Sequence, residues 1–189
     1  MARPKSEDKR DALMAAATRV IAAHGLSAPT AVIAREAGVS NGSLFTYFET
    51  KADLFNQLYL ELKTGMAAAS MQGFSTQAPP REQFSRMCSN WMRWGMSDPD
   101  KRRVLAMLDV SDEITPQTRA ASHQAMAGIA AMLERARARG PMRDAPMGFV
   151  IAMASSLAEA TMDFMVSDPA NADEHCRLGF DAMSRVLGL

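Results

Sequence analysis

The sequence predicts an all-α protein of about nine helices: a compact N-terminal trio, a long fourth helix as the joint, and five more. Three observations carry that expectation. Apolar residues recur at spacings of three and four along most of the chain, the mark of one-sided helices. Runs of alternating β-branched residues, on which strands usually draw, are scarce. Sixteen Met stand against two Tyr, and Met favours helices and fills irregular interior space.

The elements follow in order. From Ser6 to about His24, Leu13, Ala16, Ala17, Val20 and Ile21 form one stripe, with Ser6 as cap and Gly25 as stop. Thr30 is placed to cap a short second helix through Ala37, with Ile33 and Ala34 inward. Gly38 interrupts, and Ser40 caps a third helix from Asn41 to Phe48 on which Leu44 and Phe48 share a face. The fourth starts near Thr50, carries Leu54, Phe55, Leu58 and Leu62, and runs past Met66. Pro80 opens the next, which bears Phe84, Met87, Cys88 and Trp91 and ends near Pro99. A short helix spans 100–109, and Thr115-Pro116 starts another that is expected to reach Arg139 unbroken. Two long helices close the chain, one from about Ala145 to Val166 and one ending near Leu187.

A chain of 189 residues with 48% hydrophobic content can bury a core without metal or disulfide. Twenty-one basic residues balance 21 acidic ones, which excludes a polycation but leaves room for a local DNA-binding face. Cys88 and Cys176 make neither a disulfide framework nor a zinc pattern, and no metal or other cofactor is expected. No stretch of 18 consecutive apolar residues occurs; the richest, Met147 to Met165, is broken by Ser155, Ser156, Glu159, Thr161 and Asp163. The expectation is a soluble cytoplasmic protein that does not enter membranes.

The most informative segment is the trio. A glycine turn at Gly38-Val39-Ser40 between two short helices has the geometry of a helix-turn-helix. The third helix suits insertion into a major groove, which admits one α-helix. With Leu44 and Phe48 turned to the core, Asn41, Ser43, Phe45, Thr46 and Tyr47 are left for the opposite surface. The same pattern also fits a small helical cap that touches no nucleic acid.

Residues 33–55, IAREAGVSNGSLFTYFETKADLF, resemble the DNA-binding signature of the tetracycline-repressor-like (TetR) family of bacterial transcriptional regulators. The shared features are Ile33-Ala34, the Gly38-Val39-Ser40 turn, Gly42-Ser43-Leu44-Phe45-Thr46-Tyr47-Phe48, and Lys51 with Leu54-Phe55. Two positions depart from the pattern: Phe45 stands where Tyr is usual, and the stretch from Gly25 to Ile33 is one residue shorter. The resemblance implies a helix-turn-helix DNA-binding domain over residues 1–56 and a regulatory, ligand-binding and dimerisation domain over 57–189. It also implies that Thr30, Tyr47 and Lys51 grip phosphates, as suits polar groups beside helix N-termini. Asn41, Ser43 and Thr46 are then the candidates for base edges and Phe45 for sugar or a thymine methyl, with Ser40 as cap and Gly42 allowing close approach. Arg3 and Lys5 fit either a minor-groove arm or a solvated tail.

No enzyme constellation is present: His24, His123 and His175 are isolated, and neither a phosphate-binding glycine loop nor a nucleophile elbow occurs. By resemblance the last two long helices supply a homodimer interface. The face expected on the first of them is Val150, Met153, Ala154, Leu157, Thr161 and Phe164, and on the second Leu178, Met183, Val186 and Leu187. The abundance of Met and Trp suggests a cavity for an apolar or aromatic effector, with Met87, Trp91, Met107, His123, Met126, Phe149, Met153 and Glu159 as candidate ligand contacts. The functional expectation is a ligand-released repressor that binds a palindromic operator as a dimer. The alternatives are a ligand-independent regulator or activator of the same fold, and an all-helical interaction or carrier module.

Overall fold

The computed structural model describes residues 5–75 and 77–188, the side chains of Lys5 and Arg139 excepted. Ten α-helices and no strand occur among the described residues: α1 Lys5–His24, α2 Thr30–Glu36, α3 Asn41–Tyr47, α4 Lys51–Ser70, α5 Pro80–Ser97, α6 Pro99–Asp109, α7 Pro116–Ala125, α8 Ala127–Arg139, α9 Met147–Ser167 and α10 Ala172–Leu187. A 3-10 turn at Pro169–Asn171 leads into α10.

Three local expectations change. The single helix expected from Thr115-Pro116 to Arg139 is two, α7 and α8. Met126, at φ −89° and ψ 0°, sits between them in the sparsely allowed bridge region, two residues before helix-disfavouring Gly128. Ser6 lies inside the first turn of α1 rather than ahead of it. Thr30 does not cap α2: Pro29 holds the N-cap position, no side chain bonds the helix end there, and Thr30 is the first helical residue. By contrast, Thr115 does cap α7, its hydroxyl accepting the Thr118 N–H at 3.2 Å.

The chain divides into two compact units. The first comprises the described residues through Lys63 together with Asp100–Ser122; the second comprises Thr64–Pro99 and the residues from His123 onward. The packing division therefore falls inside α4 and inside α7. In the first unit Leu13, Ile21, Ile33, Leu44, Phe48, Leu54 and Leu108 are fully buried, and an Arg19–Glu36 ion pair of 2.9 Å links α1 to α2.

The second unit is built around α5, α9 and α10. Val150, Ala154, Ala158, Met162 and Met165 make the buried stripe of α9, and Phe180, Met183 and Leu187 that of α10. Phe84 and Met87 of α5 pack into the same core. The face expected on α9 is thus split, with Val150 and Ala154 inward and Met153 and Phe164 exposed. On α10, Leu178 is exposed while Met183 and Leu187 are core. Spacing alone merges these sets because α9 is apolar on both sides. By length and composition α9 could also cross a membrane, and 28% of the relevant window is buried.

Candidate nucleic-acid interface

The turn between α2 and α3 is a helix stop of defined chemistry. Gly38 takes φ +71°, its N–H bonds the Arg35 carbonyl at 3.0 Å, and the Val39 N–H bonds the Ala34 carbonyl at 2.9 Å. That pair of bonds is a Schellman closure, and its left-handed residue is strained for any side chain. Val39 is half-buried behind it. Ser40 then starts α3 as a true cap, its hydroxyl accepting the Ser43 N–H at 3.1 Å. Leu44 and Phe48, both at 0% exposure, fix which way α3 faces.

Asn41, Gly42, Phe45 and Thr46 are consequently exposed, with Phe45 keeping 44% of its surface in solvent despite being a large apolar residue. Ser43 is half-buried and shares a 2.9 Å hydroxyl contact with Ser40. Tyr47 is half-buried in the last turn of α3.

The start of α4 has two features that the sequence reading missed. The Thr50 hydroxyl accepts the Asp53 N–H and the Asp53 carboxylate accepts the Glu49 N–H, each at 3.0 Å. Thr50 thus caps the helix while Asp53 reaches back one residue beyond it, a variant of the capping box whose signal was present in the Thr-x-x-Asp spacing. Two carboxylates, Glu49 and Asp53, therefore stand with Lys51 at this helix end. The Lys51 ammonium lies 5.4 Å from the centre of the Phe55 ring, a cation–π contact that holds the half-buried side chain against the helix. Arg35, exposed in the last turn of α2, is a further cation on these elements that the motif did not single out. Arg3 lies outside the described residues, as does the side chain of Lys5.

The eight candidate effector contacts fall in both units. Met107 belongs to the first unit and the other seven to the second. Met87 is solid core, and Trp91 and Met126 are partly buried against that core. His123, Phe149, Met153 and Glu159 are exposed. Phe149, Met153 and Glu159, expected among the ligand contacts, occupy the exposed side of α9 in the single chain. A cavity of ≈ 360 Å³ lies elsewhere in the second unit, lined by Arg93, Met96, Ser97, Met165, Pro169, Ala170, Ala172 and Asp173, and an Arg93–Asp173 ion pair of 2.9 Å stands at it. None of the eight candidates lines it. Burial pushes the Cys88 thiol pKa far up, with the nearby Cys176 adding to the shift, so Cys88 is an inert core group in this state.

A Schellman-closed helix, a glycine turn and a hydroxyl-capped second helix, set in an all-α chain, define a helix-turn-helix protein. Residues 13–58 match the family described as bacterial regulatory proteins, tetR family. The chain superposes on a tetR family transcription regulator from Shewanella sp. PV-4 with a TM-score of 0.80 at 23% identity, covering 93% of this chain and 95% of that one. A TetR family transcription regulator from Marinobacter aquaeolei VT8 gives 0.79 at 23% identity, covering 95% of each chain. The TetR-like regulator LfrR from Mycobacterium smegmatis, solved in complex with proflavine, gives 0.68 at 19% identity over 94% of this chain and 95% of that one. The chain shares the fold of these solved regulators over more than nine-tenths of its length, and the sequence match to the family lies in residues 13–58.

Proposed function

We propose that this protein is a cytoplasmic DNA-binding transcriptional regulator that binds a palindromic operator as a homodimer and represses by occupying it. The observation that carries this reading is the orientation of α3. Buried Leu44 and Phe48 leave Asn41, Gly42, Phe45 and Thr46 exposed together, on a helix short enough to lie in a major groove. Thr30, Tyr47 and Lys51, at the ends of α2, α3 and α4, are assigned to phosphates; Asn41, Ser43 and Thr46 to base edges; Phe45 to a thymine methyl or sugar. Residues 1–56 carry net charge +1, from seven basic and six acidic residues. One copy therefore has little electrostatic grip, and two copies held a helical turn apart double it.

The outer side of α9 and α10 supports the dimer. Phe149, Met153 and Phe164 recur along one side of α9 at 53%, 36% and 62% exposure, and Leu178 of α10 is at 50%. A second copy laid on these helices would form a two-fold four-helix bundle. Glu159 and Asp163, on the same helix, favour that partner over lipid. Release by an apolar or aromatic effector requires a ligand that prefers the DNA-incompetent dimer; the proflavine complex of LfrR supports that chemistry by likeness of fold. A ligand-independent regulator is the second reading, favoured by the exposure of four candidate effector contacts, His123, Phe149, Met153 and Glu159.

Selection of bound duplexes from a random pool by the full chain, followed by mobility shift and sedimentation, tests the proposal. A selected palindrome bound by two protomers is the expected result. Failure to retain any duplex over competitor DNA would replace this reading with the interaction-module alternative.

A further inference from the structure

The first compact unit contains a segment that the helix-turn-helix does not explain. Asp100–Ser122, which comprises α6 after its first residue and most of α7, lies with the N-terminal helices although 36 residues of the second unit (64–99) intervene in the chain. The attachment is polar and specific. The Asn56 amide donates to the Glu113 carbonyl at 2.7 Å and accepts the Thr115 N–H at 2.9 Å. The same amide nitrogen donates to the Ala52 carbonyl at 2.8 Å. Tyr59 and Lys63 both donate to the Asp109 carboxylate, at 2.8 and 2.9 Å. Arg119 closes the loop from behind with bonds to the carbonyls of Asp109 and Ser111, both at 2.9 Å. Arg103 reaches the Ala22 carbonyl near the end of α1 at 3.4 Å.

Asn56, Tyr59 and Lys63 follow the i, i+3, i+7 rule and make one stripe of α4. Lys51, Leu54 and Leu58 make another stripe on the opposite side of that helix, and the latter two are fully buried. The helix that begins with the proposed phosphate-gripping lysine is thus held on one side by its apolar stripe and on the other by residues 100–122. An amide carries a donor and an acceptor side by side, and Asn56 uses them to satisfy both the Glu113 C=O and the Thr115 N–H of the α6–α7 connection.

We infer that the DNA-binding unit is discontinuous, completed by residues 100–122, and that Asn56 is a positioning residue that seats α4 against that segment. This rests on the DNA-binding reading for its functional consequence, but the shared unit itself does not. Asn56 touches no DNA in this assignment; it acts through the position of Lys51 and the α4 start.

The test uses the full chain. Asn56→Ala and Asn56→Asp, the latter placing a carboxylate against the Glu113 carbonyl, are compared with the parent on the selected duplex. Both should lose roughly tenfold or more in affinity, the loss expected from two clamp bonds. The selected base preference should be unchanged, and sedimentation should still report the parent's oligomeric state. Folded variants that bind as tightly as the parent would overturn the positioning role. Hydrogen exchange on the parent protein, without DNA, reads the shared unit directly. Amides of 51–56 and of 104–119 should open together. Early opening of 104–119 while 51–56 stay protected would overturn the discontinuous unit, even where the variants fail to fold. A parent that selects no duplex but shows joint opening would remove the regulator reading and leave the unit standing.

Discussion

Gly179→Ala is the sharpest perturbation the packing offers. A Cβ at that position of α10 would lie 2.2 Å from Thr161 Oγ1, 2.6 Å from its Cγ2 and 2.9 Å from its Cβ. Because Thr161 Cβ itself is within that radius, rotating the side chain does not clear the clash. Its hydroxyl is also engaged, donating to the Leu157 carbonyl at 2.7 Å. Overpacking of this kind costs about 1–3 kcal/mol, and disturbing the hydroxyl bond adds about 1 kcal/mol. Alanine returns roughly 1 kcal/mol in helix propensity over glycine. The net expectation is a destabilisation of about 1–3 kcal/mol, or a fall in Tm of roughly 2–4 °C for each kcal/mol in a chain of this size. Unfolding by heat and urea at fixed protomer concentration measures it, since the proposed dimer would make Tm concentration-dependent. Adding Thr161→Ala should recover part of the loss, giving a coupling energy in the double-mutant cycle. A Gly179→Ala protein at least as stable as the parent, or strict additivity in the cycle, would refute the claim that the Thr161 side chain of α9 packs directly against the Gly179 backbone of α10.

Ser40→Ala should cost about 1 kcal/mol through loss of the α3 cap and weaken DNA binding with it; an unchanged urea midpoint would show that the cap contributes nothing. Lys51→Ala should weaken specific and non-specific DNA alike and lower the salt-dependence slope by roughly one, and a changed base preference with an unchanged slope would place Lys51 on the wrong surface. Asn41→Ala should cost about 1–3 kcal/mol at one A·T position of the selected site, read by competition with duplexes altered at single positions. Cys88 should resist alkylation in the folded protein and react once unfolded. Because its folded-state pKa is raised, its contribution to stability is complete below the ordinary thiol range and is lost as pH rises above it; a thiol alkylated as fast in the native as in the denatured chain would contradict the burial.

The helix-turn-helix was legible because its signals are local. A glycine with positive φ, a hydroxyl one turn before an amide, and two apolar residues at i,i+4 each have one physical solution, and Gly38, Ser40 and Leu44–Phe48 adopt it. Other elements depend on distant partners. The break at Met126 has no proline or cap to announce it, so a continuous helix was the reasonable expectation for 115–139. The inner and outer sides of α9 could not be separated because both are apolar. The brace of the first unit was invisible for a different reason: Asn56 and Thr115 are 59 residues apart, and no periodicity reports a side chain that satisfies another segment's backbone.

That brace changes what a truncation would mean. A fragment ending near residue 75 lacks the outer helices, and so under the proposal it loses its dimer. It also lacks Glu113, Thr115 and Asp109, and so leaves the Asn56 amide, the Tyr59 hydroxyl and the Lys63 ammonium without their acceptors and donor. Losing those bonds to water removes their net contribution, about 0.5–1.5 kcal/mol each, from the seating of α4. Weak DNA binding by such a fragment would therefore follow from either loss and could not by itself prove that two copies are needed. Separating the two requires a full-length chain with the interface alone disrupted. Phe164→Asp does this: Phe164 is 62% exposed on α9 and belongs to the unit that does not contain Asn56. If the dimer supplies the affinity, this variant sediments as a folded monomer, keeps the joint opening of 51–56 with 104–119, and loses the palindrome. If it stays monomeric and binds the palindrome as tightly as the parent, dimerisation through α9 and α10 is not what gives this protein its grip on DNA.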